Sequence, residues 1–300
     1  MINLPSPQQQ VLAYREKIID EIFYALGLSR SGAMRRLLGP LCRFPANRFG
    51  RIAAAADMEA KYCGITGSAR RILPDLSLKT IVSGAENIPL EGPMLVASNH
   101  PGAFDSVAIL SCIPRKDVKV FISDVAFARA FSFASRYFIF TPKNNSGRMT
   151  ALRASIGHLK NGGSLLIFAH GDVEPDPELS PGGREGIGDW SRSIEIMLRR
   201  VTETRLLATI ASGVLMPKFM RNPIVKIRKT APSRQKLAEV LQMSRQMICA
   251  RGIRNNVHVS FAKPVRAQDL PADELMPAVI KIARQLLEDH MASLERHFQE

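Results

Sequence analysis

From Leu78 onward the chain alternates short apolar runs with helical patterns, and few folds accept that alternation. Strands are expected at Leu78–Ser83, Met94–Ala97, Val118–Ile122, Tyr137–Thr141, Ser164–Phe168, Arg205–Ile210 and Asn256–Phe261. Helices are expected at Ala103–Cys112, Ala126–Ser135, Arg148–Lys160, Asp189–Thr202 and Ser233–Met247. Strands this short cannot bury both faces alone. The pattern therefore predicts an α/β fold, a mixed sheet flanked by helices, behind a helical N-terminal segment. Residues 1–75 form that basic, amphipathic segment, 76–265 the α/β domain, and 266–300 a closing helix over Met276–Phe298.

In the first segment, Ser6 caps a helix with Pro7 at its first position, and the helix runs to Leu26 and stops at Gly27. Separate helices follow over Ala33–Arg43 and about Arg48–Lys61. Between Arg30 and Lys79 stand ten Lys or Arg against three Asp or Glu. Basic amphipathic helices of this kind either lie on an anionic bilayer or cap a domain with a charged outer face.

The whole chain of 300 residues has 41 Lys and Arg against 27 Asp and Glu, a net charge of +14, which calls for an anionic partner or surface. Nucleic acid is disfavoured: there is no zinc-finger spacing or aromatic-rich basic motif, with only four Tyr and one Trp. Cys42, Cys63, Cys112 and Cys249 are scattered without metal-ligand spacing and read as reduced thiols of a cytosolic protein. The N-terminus lacks a signal-peptide pattern, and the longest apolar stretch, Val125–Phe140, is interrupted by Arg129 and Arg136, so no membrane span is expected. No Gly-x-Ser-x-Gly is present, which disfavours a serine hydrolase.

The chemistry concentrates in Met94–Asp105, MLVASNHPGAFD. The apolar strand ends at Ser98-Asn99-His100-Pro101-Gly102, which continues neither strand nor helix. His100 then sits at a strand end and Asp105 in the first turn of the next helix. A tight Pro-Gly turn folds the carboxylate back on the imidazole, leaving the other ring nitrogen free as a base for a substrate hydroxyl.

Val82-Ser83-Gly84-Ala85-Glu86-Asn87-Ile88-Pro89, then Gly92-Pro93, then Asn99-His100 and Asp105, resembles the opening of the glycerolipid acyltransferase family, the PlsC-like, lysophosphatidate acyltransferase group. A weaker likeness continues to about Pro217. The resemblance implies transfer of a fatty acyl group from an acyl-CoA or acyl-carrier-protein thioester to a lipid hydroxyl, with His100 as general base and Asp105 as its partner. It implies no metal and no tightly held cofactor, since the acyl donor is a cosubstrate. Its expected setting is cytoplasmic, peripheral on the inner face of the membrane. Backbone amides near Gly171 are expected to hold the oxyanion.

Lys143 falls where the family carries a phosphate-holding basic residue, and Asn144 to Arg148 open a helix whose first amides suit an anion. An ordinary solvated lysine in a polar loop reads equally well. Phe168 and Gly171 match the family's Phe-Pro-Glu-Gly-Thr-Arg block. Ala169, His170, Asp172 and Val173 depart from it, which puts glycerol-phosphate-type acceptors in doubt and leaves His170 as a site-lining residue. The departure also motivates an alternative, a catalytically silent relative that binds lipid or carrier protein. Asp172, Glu174, Asp176 and Glu178 alternate, but Pro177 and Gly183 stand where a calcium loop needs glycine and glutamate, so a solvated Pro-rich loop is expected. The apolar run to Pro217 either lines an acyl tunnel or is a buried strand with its exit turn. Lys218–Lys236 carries seven Lys or Arg and no acid, suited to coenzyme A phosphates or acidic carrier-protein helices, or simply solvated.

Overall fold

The computed structural model describes residues 7–29, 31–180, 182–249 and 255–297. Ser6, Pro181 and Phe298, which the sequence reading placed in elements or loops, lie outside them. The described chain begins with α1 (Pro7–Ala25) and α2 (Ala33–Ile72). It continues through β1 (Leu78–Ser83), β2 (Met94–Ser98), α3 (Asp105–Cys112), β3 (Val118–Ser123), the one-turn α4 (Ala126–Arg129) and β4 (Phe138–Thr141). Next come α5 (Asn145–Lys160), β5 (Ser164–Phe168), the short α6 (Gly182–Glu185), α7 (Ser193–Arg200) and β6 (Arg205–Ser212). The one-turn helices α8 (Pro217–Met220) and α9 (Pro223–Lys226), α10 (Ala231–Ile248), β7 (Asn255–Phe261), β8 (Val265–Arg266) and α11 (Leu275–His297) complete it.

The strands form one mixed sheet in the order β1-β7-β6-β2-β5-β3-β4, with β8 also on β6. From β6 to β4 all neighbours are parallel, while β7 and β8 pair antiparallel with β6. Central strands β2, β5 and β6 are covered on both faces, as their unbroken apolar runs require. On one face Val96, Leu166 and Leu207 pack with Ile52, Ala56, Ala60 and Ile65 of α2 and with Ala108 and Ile109 of α3. On the other, Leu95, Leu165 and Leu206 pack with α5, α7 and α11. The N-terminal helices thus share the sheet's core.

The break expected between Arg43 and Arg48 is not a break. Ala33–Arg43 and Arg48–Lys61 are one run that passes through Pro40 and Pro45 and turns only at Gly64 (φ 72°, ψ 177°). Each proline removes one helical donor, but Pro45 is buried and Ala46 packs with Ile19 and Phe23 of α1, so tertiary burial outweighs the local penalty. Conversely, the helix expected over Ala126–Ser135 stops at Arg129. The buried carboxylate of Asp57 on α2 accepts from the amides of Ser132 (2.9 Å), Phe133 (2.8 Å) and Ala134 (2.8 Å), the donors a continuing helix would need. Tyr14 Oη donates to the same carboxylate at 3.3 Å. The helix expected from Asp189 starts only at Ser193, because the Ser191 amide donates to Ala169 O at 2.7 Å and Ser191 Oγ receives the Ser193 amide at 3.2 Å.

The turns before β2 are held by specific contacts. Gly84 has φ 73°, and a side chain there would meet the Phe261 carbonyl, which Asn87 Nδ2 contacts at 3.1 Å. Buried Arg115 reaches Gly92 O (2.7 Å) and Gly162 O (3.0 Å) while paired with Asp117, fixing the Gly92-Pro93 turn.

Candidate active site

Because β6, β2, β5, β3 and β4 run parallel, their C-terminal ends share one sheet edge, and loops there converge. His100 follows β2 and His170 follows β5, whose Phe168 pairs in register with Ser98. Asn99, buried at the strand end, donates from Nδ2 to Ala211 O (2.9 Å) and accepts the Ala211 amide at Oδ1 (2.8 Å). Its side chain continues the ladder to β6 one step beyond β2 and aims the next residue outward.

The Pro101-Gly102 turn then brings Asp105 Oδ2 to 2.6 Å from His100 Nδ1. Asp105 is fully buried and also receives the amides of Gly102 (3.2 Å) and Ser106 (2.5 Å). An ionised carboxylate has no proton to give, so Nδ1 must donate, and Nε2 is left bare to accept one. The imidazole stacks on Phe168 with centroids 4.1 Å apart and planes at 19°. Burial opposes protonation of His100, but the charge and hydrogen bond of Asp105, with Glu239 and Glu174 beyond, outweigh it and raise its affinity for a proton.

The acidic loop after β5 is not the solvated loop expected. Glu174 and Asp176 are each 2% exposed. Glu174 Oε2 accepts the His100 amide at 2.9 Å, and the Glu174 amide donates to His100 O at 2.8 Å. Asp176 gathers the amides of Glu178 (3.0 Å), Gly213 (3.2 Å) and Val214 (2.9 Å), tying this loop to the turn after β6. Glu174 and Asp176 therefore satisfy backbone donors rather than facing water, while Asp172 of the same loop is exposed. Among the described residues no group of three or more His, Cys, Asp or Glu is arranged to hold a metal ion.

α10 clamps the same turns. Buried Gln235 donates from Nε2 to Pro101 O (3.0 Å) and Glu174 O (2.9 Å), and Gln242 bonds Val214 O and the Met216 amide. Sequence reasoning missed Glu174, Asp176, Gln235 and Glu239. The one available signal was the polar 235-239-242-246 stripe, at core spacing on a helix that buries Gln235, Gln242 and Gln246 and half-buries Glu239.

The other expected site residues are placed as follows. Phe168 is in the site. His170 is half-buried, with Nδ1 buried and without a hydrogen-bond partner, and its charge acts on Glu174. Gly171, with φ 91°, turns the loop, but its amide donates to Phe168 O at 3.1 Å and is not a free oxyanion donor. Lys143 and Arg148 are exposed beyond β4, three strands from β2, roughly 14 Å at ordinary strand spacing. The α5 terminus they flank is capped by Asn144, which accepts the Gly147 amide at 2.7 Å. Pro217 is exposed at the start of α8, while Val214 of the same run reaches the catalytic turn.

A histidine whose Nδ1 meets a buried carboxylate, on the loop edge of a mixed α/β sheet, is an arrangement able to activate a hydroxyl. Residues 79–197 match the family model described as Acyltransferase, in line with the resemblance to PlsC-like glycerolipid acyltransferases. Among solved structures, the 1-acyl-sn-glycerophosphate (LPA) acyltransferase PlsC from Thermotoga maritima is similar, with a TM-score of 0.47 and 16% identity over 94% of this chain and 96% of that one. No curated protein matches the chain.

Proposed function

We propose that the chain moves a fatty acyl group from an acyl-CoA or acyl-carrier-protein thioester to a hydroxyl of a lysophospholipid or related lipid. The observation that carries this reading is the 2.6 Å contact between His100 Nδ1 and fully buried Asp105, with Nε2 left to accept a proton. Nε2 takes the acceptor's hydroxyl proton as its oxygen bonds to the thioester carbonyl carbon. The tetrahedral oxyanion collapses, the C–S bond breaks, and the leaving thiolate recovers the proton from His100. Phe168 fixes the ring plane, and Asp105 stabilises the imidazolium formed between the two transfers. The intact pair favours an enzyme over a silent binder.

The reading includes work on an anionic membrane surface. Met34, Leu37, Leu41 and Phe44 recur at helical spacing on α2 and are exposed, with exposed Arg36 and Arg43 among them. Among the described residues no helix is long and apolar enough to cross a membrane. Beside the site, Lys218, Arg221, Lys226 and Lys229 are exposed around Ile224 and Ile227, a surface suited to donor phosphates or an acidic carrier protein.

Thiol release from a long-chain acyl-CoA and from an acyl-carrier-protein thioester, each against a panel of lysolipids and other lipid alcohols, tests the reading. Acceptor-dependent release that vanishes in His100→Ala is the expected result. Lipid binding by folded protein without turnover of either donor would replace it with the silent-binder reading.

A further inference from the structure

The stripe of α10 that faces the catalytic turn carries one ionisable group, Glu239. Its Oε1 lies 3.3 Å from Gln235 Nε2, the amide that holds Pro101 O and Glu174 O. It also stands against Gly102: a methyl group there would come within 3.4 Å of Glu239 Oε1 and 3.0 Å of Val214 Cγ1. The carboxyl therefore abuts the residue whose amide donates to Asp105.

We propose that Glu239 is a positioning residue of the acyl-transfer site, a carboxylate brought from α10 to stabilise the His100 imidazolium alongside Asp105 and Glu174. The inference rests on His100 being the base. Three acids from three separate segments then favour the charged form of one imidazole in a chain of net charge +14. Asp105 on α3 makes direct contact, Glu174 after β5 holds the His100 amide, and Glu239 acts through space.

The charges facing this cluster are His100 itself, Asp105, Glu174, His170 acting on Glu174, and Lys236 on α10 acting on Glu239. Burial pushes the Glu239 carboxyl up to about 7, with the Asp105 charge adding to it, while Gln235, His100 and Lys236 oppose the rise. An ionised Glu239 and a protonated His100 each favour the other's charged form. At higher pH Glu239 is ionised and His100 accepts a proton more readily.

The test is Glu239→Gln in the full chain, which keeps the Oε1 acceptor for Gln235 and removes only the charge. Histidine-labelled protein is titrated by NMR, with the His100 signal assigned by its absence in His100→Gln, and the pH profile of kcat/KM for thiol release is recorded in parallel. Loss of the charge lowers the His100 titration midpoint by about half a unit or more. The acidic limb of the rate profile moves down with it, and kcat on the plateau falls roughly threefold to tenfold. A His100 midpoint unchanged in folded Glu239→Gln, or a rate lowered equally at every pH, overturns the inference. A shifted midpoint with transfer that survives His100→Gln would leave the electrostatic coupling standing and remove His100 as the base.

Discussion

Replacing Asp105 by Asn tests whether the carboxylate does more than fill space. In the native site Oδ2 accepts from His100 Nδ1 (2.6 Å) and Gly102 N (3.2 Å), and Oδ1 accepts from Ser106 N (2.5 Å). Asparagine brings one acceptor and one donor to the same volume. With its oxygen toward Ser106, the NH2 confronts the Gly102 amide and forces His100 to present a bare Nδ1. The ring proton then sits on Nε2, where the substrate's proton should go. With its oxygen toward His100 the tautomer survives, but the NH2 faces the Ser106 amide, a buried donor clash costing about 1–3 kcal/mol. Neither orientation supplies the negative charge that holds the imidazolium. A dyad of this geometry loses about 10³- to 10⁴-fold in rate when the carboxylate becomes an amide, equivalent to about 4–5.5 kcal/mol of transition-state stabilisation. The assay is kcat/KM for acceptor-dependent thiol release, with thermal unfolding alongside to show an intact fold. Activity within tenfold of wild type in a folded variant would refute the orientation argument.

Three further outcomes are expected. Asn99→Ala strands the Ala211 amide and carbonyl in the core and lowers unfolding free energy by about 2–4 kcal/mol in urea titration; a change below half of that would show the site relaxes around the loss. His290 of α11 is wedged between Ser212 Oγ and Ser260 Oγ at 2.7 Å each, and burial, with the His258 charge, holds its pKa down to about 4. The unfolded chain takes up that proton near pH 6.5 and the folded one only near 4. This side chain therefore costs stability as pH falls through that window, up to about 3 kcal/mol at its lower end, and a His290→Phe comparison of unfolding at the two pH values reads the difference. Replacing Leu37, Leu41 and Phe44 together by Ser removes cosedimentation with anionic vesicles and leaves unfolding free energy within about 1 kcal/mol, since all three are exposed; retained vesicle binding would locate the membrane face elsewhere.

The strand–turn–helix around His100 was legible because its determinants are local: an apolar run, a Pro-Gly turn and a helix-opening acid within twelve residues. The seven longer strands were legible for the same reason. What the sequence hides is action at a distance. Asp57 truncates a helix more than seventy residues downstream by taking its amides, and no pattern near Ser132 announces that. Glu174 and Asp176 sit in a run of acids and prolines that locally describes a solvated loop, and only the amides of His100, Gly213 and Val214 give them a reason to be buried. Pro45 fails as a helix stop because α1 packs against the helix there. In each case a tertiary partner decided against local propensity.

The clamp from α10 carries a consequence for biosynthesis. His100, Asp105 and Phe168 all emerge early from the ribosome, yet Gln235, 134 residues beyond Pro101, ties their loops together. A nascent chain of two hundred residues holds the base, its acid and the stacking ring without the brace that aligns them. On the proposed mechanism, catalytic competence is thus a late event in synthesis, and a truncated or stalled product carries the histidine and its acid without the helix that aligns their loops.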